Sequence, residues 1–349
     1  MFFDIETTGL SASRSHLYLI GCAWQIEANG EKKWLLRQCF LDNPAHEKEL
    51  LAGFSDLLTK RNIRTLIHYN GSTFDIPYLE KKYRFYRMKN PLESFRSEGG
   101  TIDLYRTIRP FRRLLGTDSL KQKDAERLIG IRRRDRFSGK ELIGTYREYL
   151  LKGDPELLDA MFLHNAEDVA NMLPIYPLTG LSTFFGGGFT IRSVGMTAHP
   201  GPGDLRIRLA ADCATPIPIR SENDFCSLIW EESNALLTVR PFCGTLKHFF
   251  PDYRNYYYLP EEDQAIHKSV GAFVDPAHRV PAKAATCYQK KSGTFLPQPR
   301  DRVTPVFRND YRSKHSYFLY EPDRVPEGSV SESVSFTAYI LDLLETLIL

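Results

Sequence analysis

Apolar and polar positions along the first half of the chain switch repeatedly between a period of two and a helical period. The opening run, FFDIETTGL, reads as a strand with Phe2, Phe3 and Ile5 around two acids, Asp4 and Glu6. Apolar residues on both of its faces suggest a covered strand, as against an exposed edge strand with solvated acids. HLYLIGCAWQIEANGEKKWLLRQCFL follows, two β-rich runs around Asn29-Gly30, and that dipeptide predicts a hairpin because both residues tolerate positive φ. In NPAHEKELLAGFSDLLTKR, Leu50, Leu51, Phe54, Leu57 and Leu58 recur at helical spacing. IRTLIHYN then predicts a buried strand ending at Asn70-Gly71, and TFDIPYLEKKYRFYRM a helix with Pro77 near its start. Strand, hairpin, helix, strand and helix in that order predict an α/β fold, a mixed sheet covered by helices.

Three further helices are expected before residue 180. DSLKQKDAERLIGI has Asp118 or Ser119 near its cap, SGKELIGTYREYLLKG begins at Ser138, and a third has Asp154 as N-cap and Pro155 at its first position. The last runs through ELLDAMFLHNAEDVANMLPIY and is stopped or kinked near Pro174 and Pro177. At about residue 180 the composition changes. FFGGGFT and HPGPGD read as linkers, and DLRIRLAAD, FCSLIW, ALLTVRPF and KHSYFLY as strands. A short helix is expected over EEDQAIHKSV and a packed one over VSFTAYILDLLETLIL. This predicts two domains, 1–179 and a smaller β-rich α+β domain over 180–349.

Composition changes this picture little. Of 349 residues, 42% are hydrophobic and 26% charged, with a net charge of +3, ordinary for a soluble globular chain. The six cysteines form no CxxC pair, which argues against a zinc ribbon; buried free thiols and a cytoplasmic location are expected. The chain opens on an acid-bearing strand with no leader in view, and no apolar run approaches the roughly 20 residues of a membrane span. Charge is uneven, however. Arg106, Arg109, Arg112, Arg113, Lys121, Lys123, Arg127, Arg132, Arg133, Arg134 and Arg136 crowd one stretch, which as a cluster leans toward phosphate contacts over a merely solvated surface.

The carboxylates carry the candidate chemistry. Asp4 and Glu6 share one face of a strand, and two like charges so close call for a compensating cation. A hard divalent ion such as Mg²⁺ or Mn²⁺ suits oxygen ligands. Asp75 opens a helix after a strand that could lie beside the first, and His164 and Asp168 lie four apart on one helix face. Taken singly, Asp75 would be a helix-start carboxylate and Asp168 part of a solvated face. As a set, four carboxylates and a histidine could hold two metals and activate a water for phosphodiester cleavage. Thr7, Thr8 and Asn70 could hold a terminal nucleotide or merely satisfy their own turns, and Asp103 could be a supporting acid. In the second half, the tyrosines of YRNYYYLP and the cations of CYQKKSGTFLPQPR could stack on bases, but a β-rich core is the stronger reading.

DIETTGL, HYNGSTFDIPYL and HNAEDV, in that order and spacing, resemble the three exonuclease motifs of the DEDD group of the ribonuclease H-like superfamily. IDLYRTIRP, SLKQKDAERLIGI and SGKELIGTYREYLLKGD look closest to YprB-type ribonuclease H-like domains. The resemblance covers about residues 1–175. It implies a five-stranded mixed sheet, two Mg²⁺ or Mn²⁺ ions, and 3'–5' exonuclease activity, for which single-stranded 3' ends of DNA or RNA are the expected partner. It also implies Asp4, Glu6, Asp75 and Asp168 as metal ligands and His164 as general base. The histidine-type members usually space these last two by five residues; the gap of four here is that of the tyrosine-type members. Only three residues precede Asp4, which leaves a short first strand or a protein that starts further upstream. The alternative function is a nucleic-acid-binding module of the same fold with little or no turnover, and a structure-selective endonuclease is a third reading.

Overall fold

The computed structural model describes residues 1–97, 99–197, 203–322 and 334–348, so most of the HPGPGD run lies outside the described residues. Two compact units divide the chain, Met1–Ser182 and Thr183–Leu349.

The first unit is built on a mixed five-stranded sheet flanked by helices, as the pattern predicts. Its strands are β1 (Phe2–Thr7), β2 (Leu17–Ala28), β3 (Glu31–Phe40), β4 (Leu66–His68) and β5 (Thr101–Asp103), in the order β3-β2-β1-β4-β5. β1 is central. It runs antiparallel to β2, with Asp4 opposite Gly21 and Glu6 opposite Leu19, and parallel to β4, with Phe2 opposite Ile67. Asn29 and Gly30 both take positive φ in the hairpin between β2 and β3. β4 is shorter than IRTLIHYN suggests, because Asn70 takes φ 58° and turns the chain out of the sheet.

The helices are α1 (Glu47–Lys60), α2 (Asp75–Phe85), α3 (Leu92–Ser97), α4 (Leu104–Ile108), α5 (Gln122–Leu128), α6 (Gly139–Lys152) and α7 (Pro155–Ile175). One core joins Phe3, Ile5, Ile20 and Cys22 of the sheet to Leu51 and Phe54 of α1 and Leu79 and Tyr83 of α2. A second joins Tyr18 and Leu19 to Leu142 and Tyr146 of α6 and Met161 of α7, with the Tyr18 and Tyr146 rings stacked 4.2 Å apart. α6 starts on a capping box between Ser138 and Glu141, and α7 on Asp154 followed by Pro155. α5 starts later than Asp118 or Ser119, at Gln122. The Asp124 carboxylate accepts from the Lys121 amide (3.2 Å) and the Ser119 hydroxyl (2.5 Å), which fixes the residues before the helix as its lead-in. α7 absorbs Pro174 and passes at Tyr176 into a 3-10 turn that contains Pro177.

A buried ion pair ties the first core together, and no sequence pattern announces it. Glu47 of α1 is wholly buried, 2.8 Å from the Lys82 ammonium of α2. Its carboxylate also accepts from the Leu17 amide (2.7 Å) and the Tyr86 hydroxyl (2.8 Å).

The second unit holds three three-stranded sheets. β6 (Phe189–Met196), β7 (Leu205–Glu222) and β8 (Cys226–Val239) form one in that order. β9 (Phe242–Phe249), β13 (Tyr288–Gln298) and β14 (Ser316–Leu319) form another, and β10 (Tyr256–Leu259), β11 (Gln264–His267) and β12 (Val280–Pro281) the third. FCSLIW and ALLTVRPF, expected as two strands, fall mainly on the single long β8, which changes register against β7 near a left-handed Glu232. EEDQAIHKSV is mostly not helical. Asp263 takes φ 52° and accepts from the Tyr258 hydroxyl at 2.6 Å, which closes a hairpin and leaves only one helical turn, Lys268–Gly271. FFGGGFT is no free linker either, since Phe184 is buried and stacks on Trp230 at 4.3 Å. The tyrosine cluster packs on its own unit, with Tyr256 stacked 4.8 Å from Phe250. Ser335 caps the expected final helix, Phe336–Glu345.

No disulfide joins the six cysteines, all of them among the described residues; Cys22, Cys226 and Cys287 are buried, Cys39 and Cys213 half-buried, and Cys243 exposed. Among the described residues, no helix is long and apolar enough to cross a membrane.

Candidate metal centre

The end of β1 places Asp4 and Glu6 on one side of the sheet. α2 starts beside it, and Asp75 accepts the Ile5 amide on Oδ1 at 3.3 Å, so strand and helix start are joined through the acid itself. α7 crosses the same end of the sheet. Asn165 donates to Asp4 Oδ2 at 3.0 Å and accepts from Gln38 at 3.0 Å. Gly21, opposite Asp4, makes this approach possible, because a Cβ there would collide with the Asn165 amide oxygen and come within 2.8 Å of Val169.

One turn of α7 then presents His164 and Asp168 together. His164 Nε2 lies 3.1 Å from Asp168 Oδ2 and 3.6 Å from Glu6 Oε1. Ligating atoms of Glu6, His164 and Asp168 all fall within 4.8 Å of one another, and no other such group of three occurs among the described residues. Asp4 and Asp75 stand outside that trio but interact electrostatically with it.

The segment after α5 closes the site from behind. His164 Nδ1–H donates to Asp135 Oδ2 at 2.8 Å. Asp135 in turn accepts from the Lys123 ammonium at 3.0 Å and the Phe137 amide at 2.9 Å. Arg133, nearly buried, donates through Nη2 to Asp168 Oδ1 and pairs with the buried Glu126. Glu167 accepts the Arg134 and Asp135 amides, both at 3.0 Å, and pins the segment to α7.

These surroundings split the acids into two groups. Burial, followed by the charges of Asp168, Asp75 and Glu6, raises Asp4 well above the usual carboxylate range. Burial pushes Glu6 up to about 8 despite His164, and Asp75 up to about 7 despite its backbone hydrogen bonds. Burial would raise Asp168 too, but His164 and Arg133 hold it low. Burial would lower His164, yet the Asp168 hydrogen bond and the charges of Asp168, Glu6 and Asp135 push it up to about 9. Two buried carboxylates, Glu6 and Asp75, and the half-buried Asp4, all resisting ionisation, are a site short of positive charge. Oxygen donors and one imidazole nitrogen fit a divalent cation there.

Thr7, Thr8 and Asn70 sit at the ends of β1 and β4, and all three make local bonds. The Thr7 hydroxyl donates to Gly9 O at 3.0 Å, the Thr8 hydroxyl accepts from the His16 amide at 2.8 Å, and the Asn70 amide donates to Asp103 at 3.0 Å. Asp103 also accepts from the Ser72 and Arg106 amides, so it holds the β4 loop and caps α4. The basic stretch is partly neutralised. Arg127 pairs with Asp124, Arg134 with Glu167 and Lys123 with Asp135, and Arg133 turns inward. Glu126, Asp135 and Asn165 escape a reading by sequence, and Arg133, which the sequence places in a cluster leaning toward phosphate contacts, instead pairs inward with Glu126 and Asp168. The only signal for Asp135 is a lone acid that ends a run of three arginines.

A family model described as the RNase_H superfamily matches residues 1–179. The chain belongs to that superfamily, whose members are generally nucleases. The Uncharacterized protein YprB of Bacillus subtilis (strain 168) is 30% identical over 178 residues, half of this chain. The match covers 40% of that relative's length. Among solved structures, the family B DNA polymerase of the hyperthermophilic archaeon Pyrobaculum calidifontis aligns over 73% of this chain and 34% of its own. Its TM-score of 0.38 and identity of 13% carry no argument about function.

Proposed function

We propose that this chain is a metal-dependent 3'–5' exonuclease that hydrolyses phosphodiester bonds of single-stranded DNA or RNA. The observation that carries the reading is the convergence of Glu6, His164 and Asp168, with Asp4 and Asp75 at their side, in a superfamily of nucleases. Asp4, Glu6, Asp75 and Asp168 would hold two divalent ions, Mg²⁺ or Mn²⁺. Bound there, such ions supply an activated water and stabilise charge on the phosphate.

The chain's own residues do the positioning. β1 and α2 fix Asp4, Glu6 and Asp75 through the Ile5 amide, and Asn165 fixes Asp4 on its second oxygen. His164 turns Nε2 into the same space, where it can accept a proton or donate to a cation. Thr7, Thr8 and Asn70 are proposed to meet the terminal nucleotide, and the exposed arginines near α4 its phosphates.

End-labelled DNA and RNA single strands incubated with Mn²⁺ test the reading. Stepwise shortening from the 3' end is expected in the wild type and its loss in Asp4→Asn; absent or unchanged shortening overturns it. A second reading, a nucleic-acid-binding module with little turnover, draws on the Arg133 guanidinium that already neutralises Asp168. Binding without cleavage in any metal would favour it. Digestion of a circular single strand would point instead to an endonuclease.

A further inference from the structure

We propose that His164 is itself a metal ligand, through Nε2, in a set with Glu6 and Asp168, and that Asp135 fixes its ring from behind. The inference rests on the reading of this site as a metal centre and departs from a general-base role for the histidine.

Three observations carry it. The first is spacing. An ion bonded at about 2.1 Å sets neighbouring ligand atoms about 3.0–3.4 Å apart in octahedral or tetrahedral geometry. Nε2 lies 3.1 Å from Asp168 Oδ2 and 3.6 Å from Glu6 Oε1, so a small closure about an ion completes the set. The second is what lies behind the ring. Nδ1–H is taken by Asp135, itself almost fully buried and held by Lys123 and the Phe137 amide. With a carboxylate holding the proton on one ring nitrogen, an ion that takes the place of the Nε2 proton meets a lone pair there, on a nitrogen made a better donor. The third is the division of the Asp168 carboxylate. Arg133 occupies Oδ1, which leaves Oδ2, the oxygen nearest Nε2, for the ion.

A general base needs its nitrogen set back from the metal by the width of a water. Here Nε2 already stands at the one-ion spacing from Asp168 Oδ2 and slightly beyond it from Glu6 Oε1. The nitrogen donor also changes the preferred metal. Imidazole suits Mn²⁺ and later transition metals better than Mg²⁺, which demands oxygen.

Pulsed electron paramagnetic resonance of the full chain with Mn²⁺ tests this without relying on turnover. We expect ¹⁴N modulation from a directly bound imidazole in the wild type, its loss in His164→Gln, and an Asp135→Asn variant that binds Mn²⁺ about 10–100-fold more weakly. The wild-type spectrum alone decides if a variant fails to fold. Bound Mn²⁺ without ¹⁴N modulation, or modulation unchanged in His164→Gln, overturns the proposal. If strands are still shortened in that case, the exonuclease reading survives it. No Mn²⁺ binding at all overturns both.

Discussion

Asn165 Nδ2 donates to Asp4 Oδ2 over 3.0 Å, and this bond ties the helix that carries Asp168 to the strand that carries Asp4 and Glu6. Asn165 is fully buried and its oxygen is used as well, by Gln38. An Asn165→Leu variant leaves Asp4 and Gln38 each short of a partner. We expect it to lower stability by about 1–3 kcal/mol in urea unfolding. Weaker Mn²⁺ binding by calorimetry should accompany this, because Asp4 loses its orientation. Unchanged affinity would mean that Asp4 is fixed by the strand alone.

Arg133 supplies the only full positive charge that the chain places directly on Asp168 apart from His164, among the described residues. Removing it in Arg133→Met leaves the buried Glu126 without its cation and the half-buried Asp168 with His164 alone. Breaking one side of such a pair costs about 3–5 kcal/mol. In metal-free protein that loss should be seen in full by thermal or urea unfolding. Saturating Mn²⁺ should restore part of it through Asp168, but none of the share that belongs to Glu126. Equal losses with and without Mn²⁺ would place Asp168 outside the metal set.

The sheet and most helices were legible because their signals are local. Asn29-Gly30 marks a hairpin, Leu51, Phe54 and Leu58 mark one helix face, and Asp154-Pro155 marks a helix start. The acids of the candidate site were legible only as an ordered set, since no short window brings Asp4, Asp75 and Asp168 together. The residues that support them were not legible. Asp135 and Arg133 lie in a charged run whose local pattern is that of a solvated surface, and only the fold turns both inward. The errors in the second unit have the same origin. Asp263 and Glu232 take left-handed conformations that cut across the apparent period, so a helix became a hairpin and two strands became one.

Lys82 and Glu47 separate stability from chemistry. The pair is buried in the first core, and the groups it satisfies belong to the β2 start and to α1 and α2. Lys82→Met takes the ammonium from the buried Glu47 and leaves His16, 3.4 Å away, as the basic group beside it, with an expected cost of about 3–5 kcal/mol. The double variant Lys82→Met, Glu47→Leu should recover much of that, because an apolar pair of similar volume can replace a buried ion pair. Mn²⁺ affinity of the folded variants should match the wild type. A selective fall in affinity would show that this core sets the geometry of the acid cluster.

The protonation of Glu6 and Asp75 predicts how pH and metal act together. Unfolded, both titrate near the ordinary carboxylate value of about 4. Folded, burial holds Asp75 near 7 and Glu6 near 8, so between these limits the folded chain binds more protons than the unfolded one. Stability therefore falls as pH rises through that window, because each ionisation places an uncompensated charge in the site. His164, with its pKa pushed up to about 9, acts in the same direction, since its favourable charge is lost as pH rises. A divalent ion replaces those protons and is favoured as they leave. Melting temperatures in a chelator should thus be lower at about pH 8 than at about pH 6, and the rise on adding Mn²⁺ should be larger at about pH 8. Asp4→Asn with Asp75→Asn removes two of the acids that resist ionising, and should flatten the pH dependence in chelator while reducing the Mn²⁺ response. A melting temperature indifferent to pH in the wild type, or a Mn²⁺ response greater at the lower pH, would show that the acids are not the groups that take up the ion.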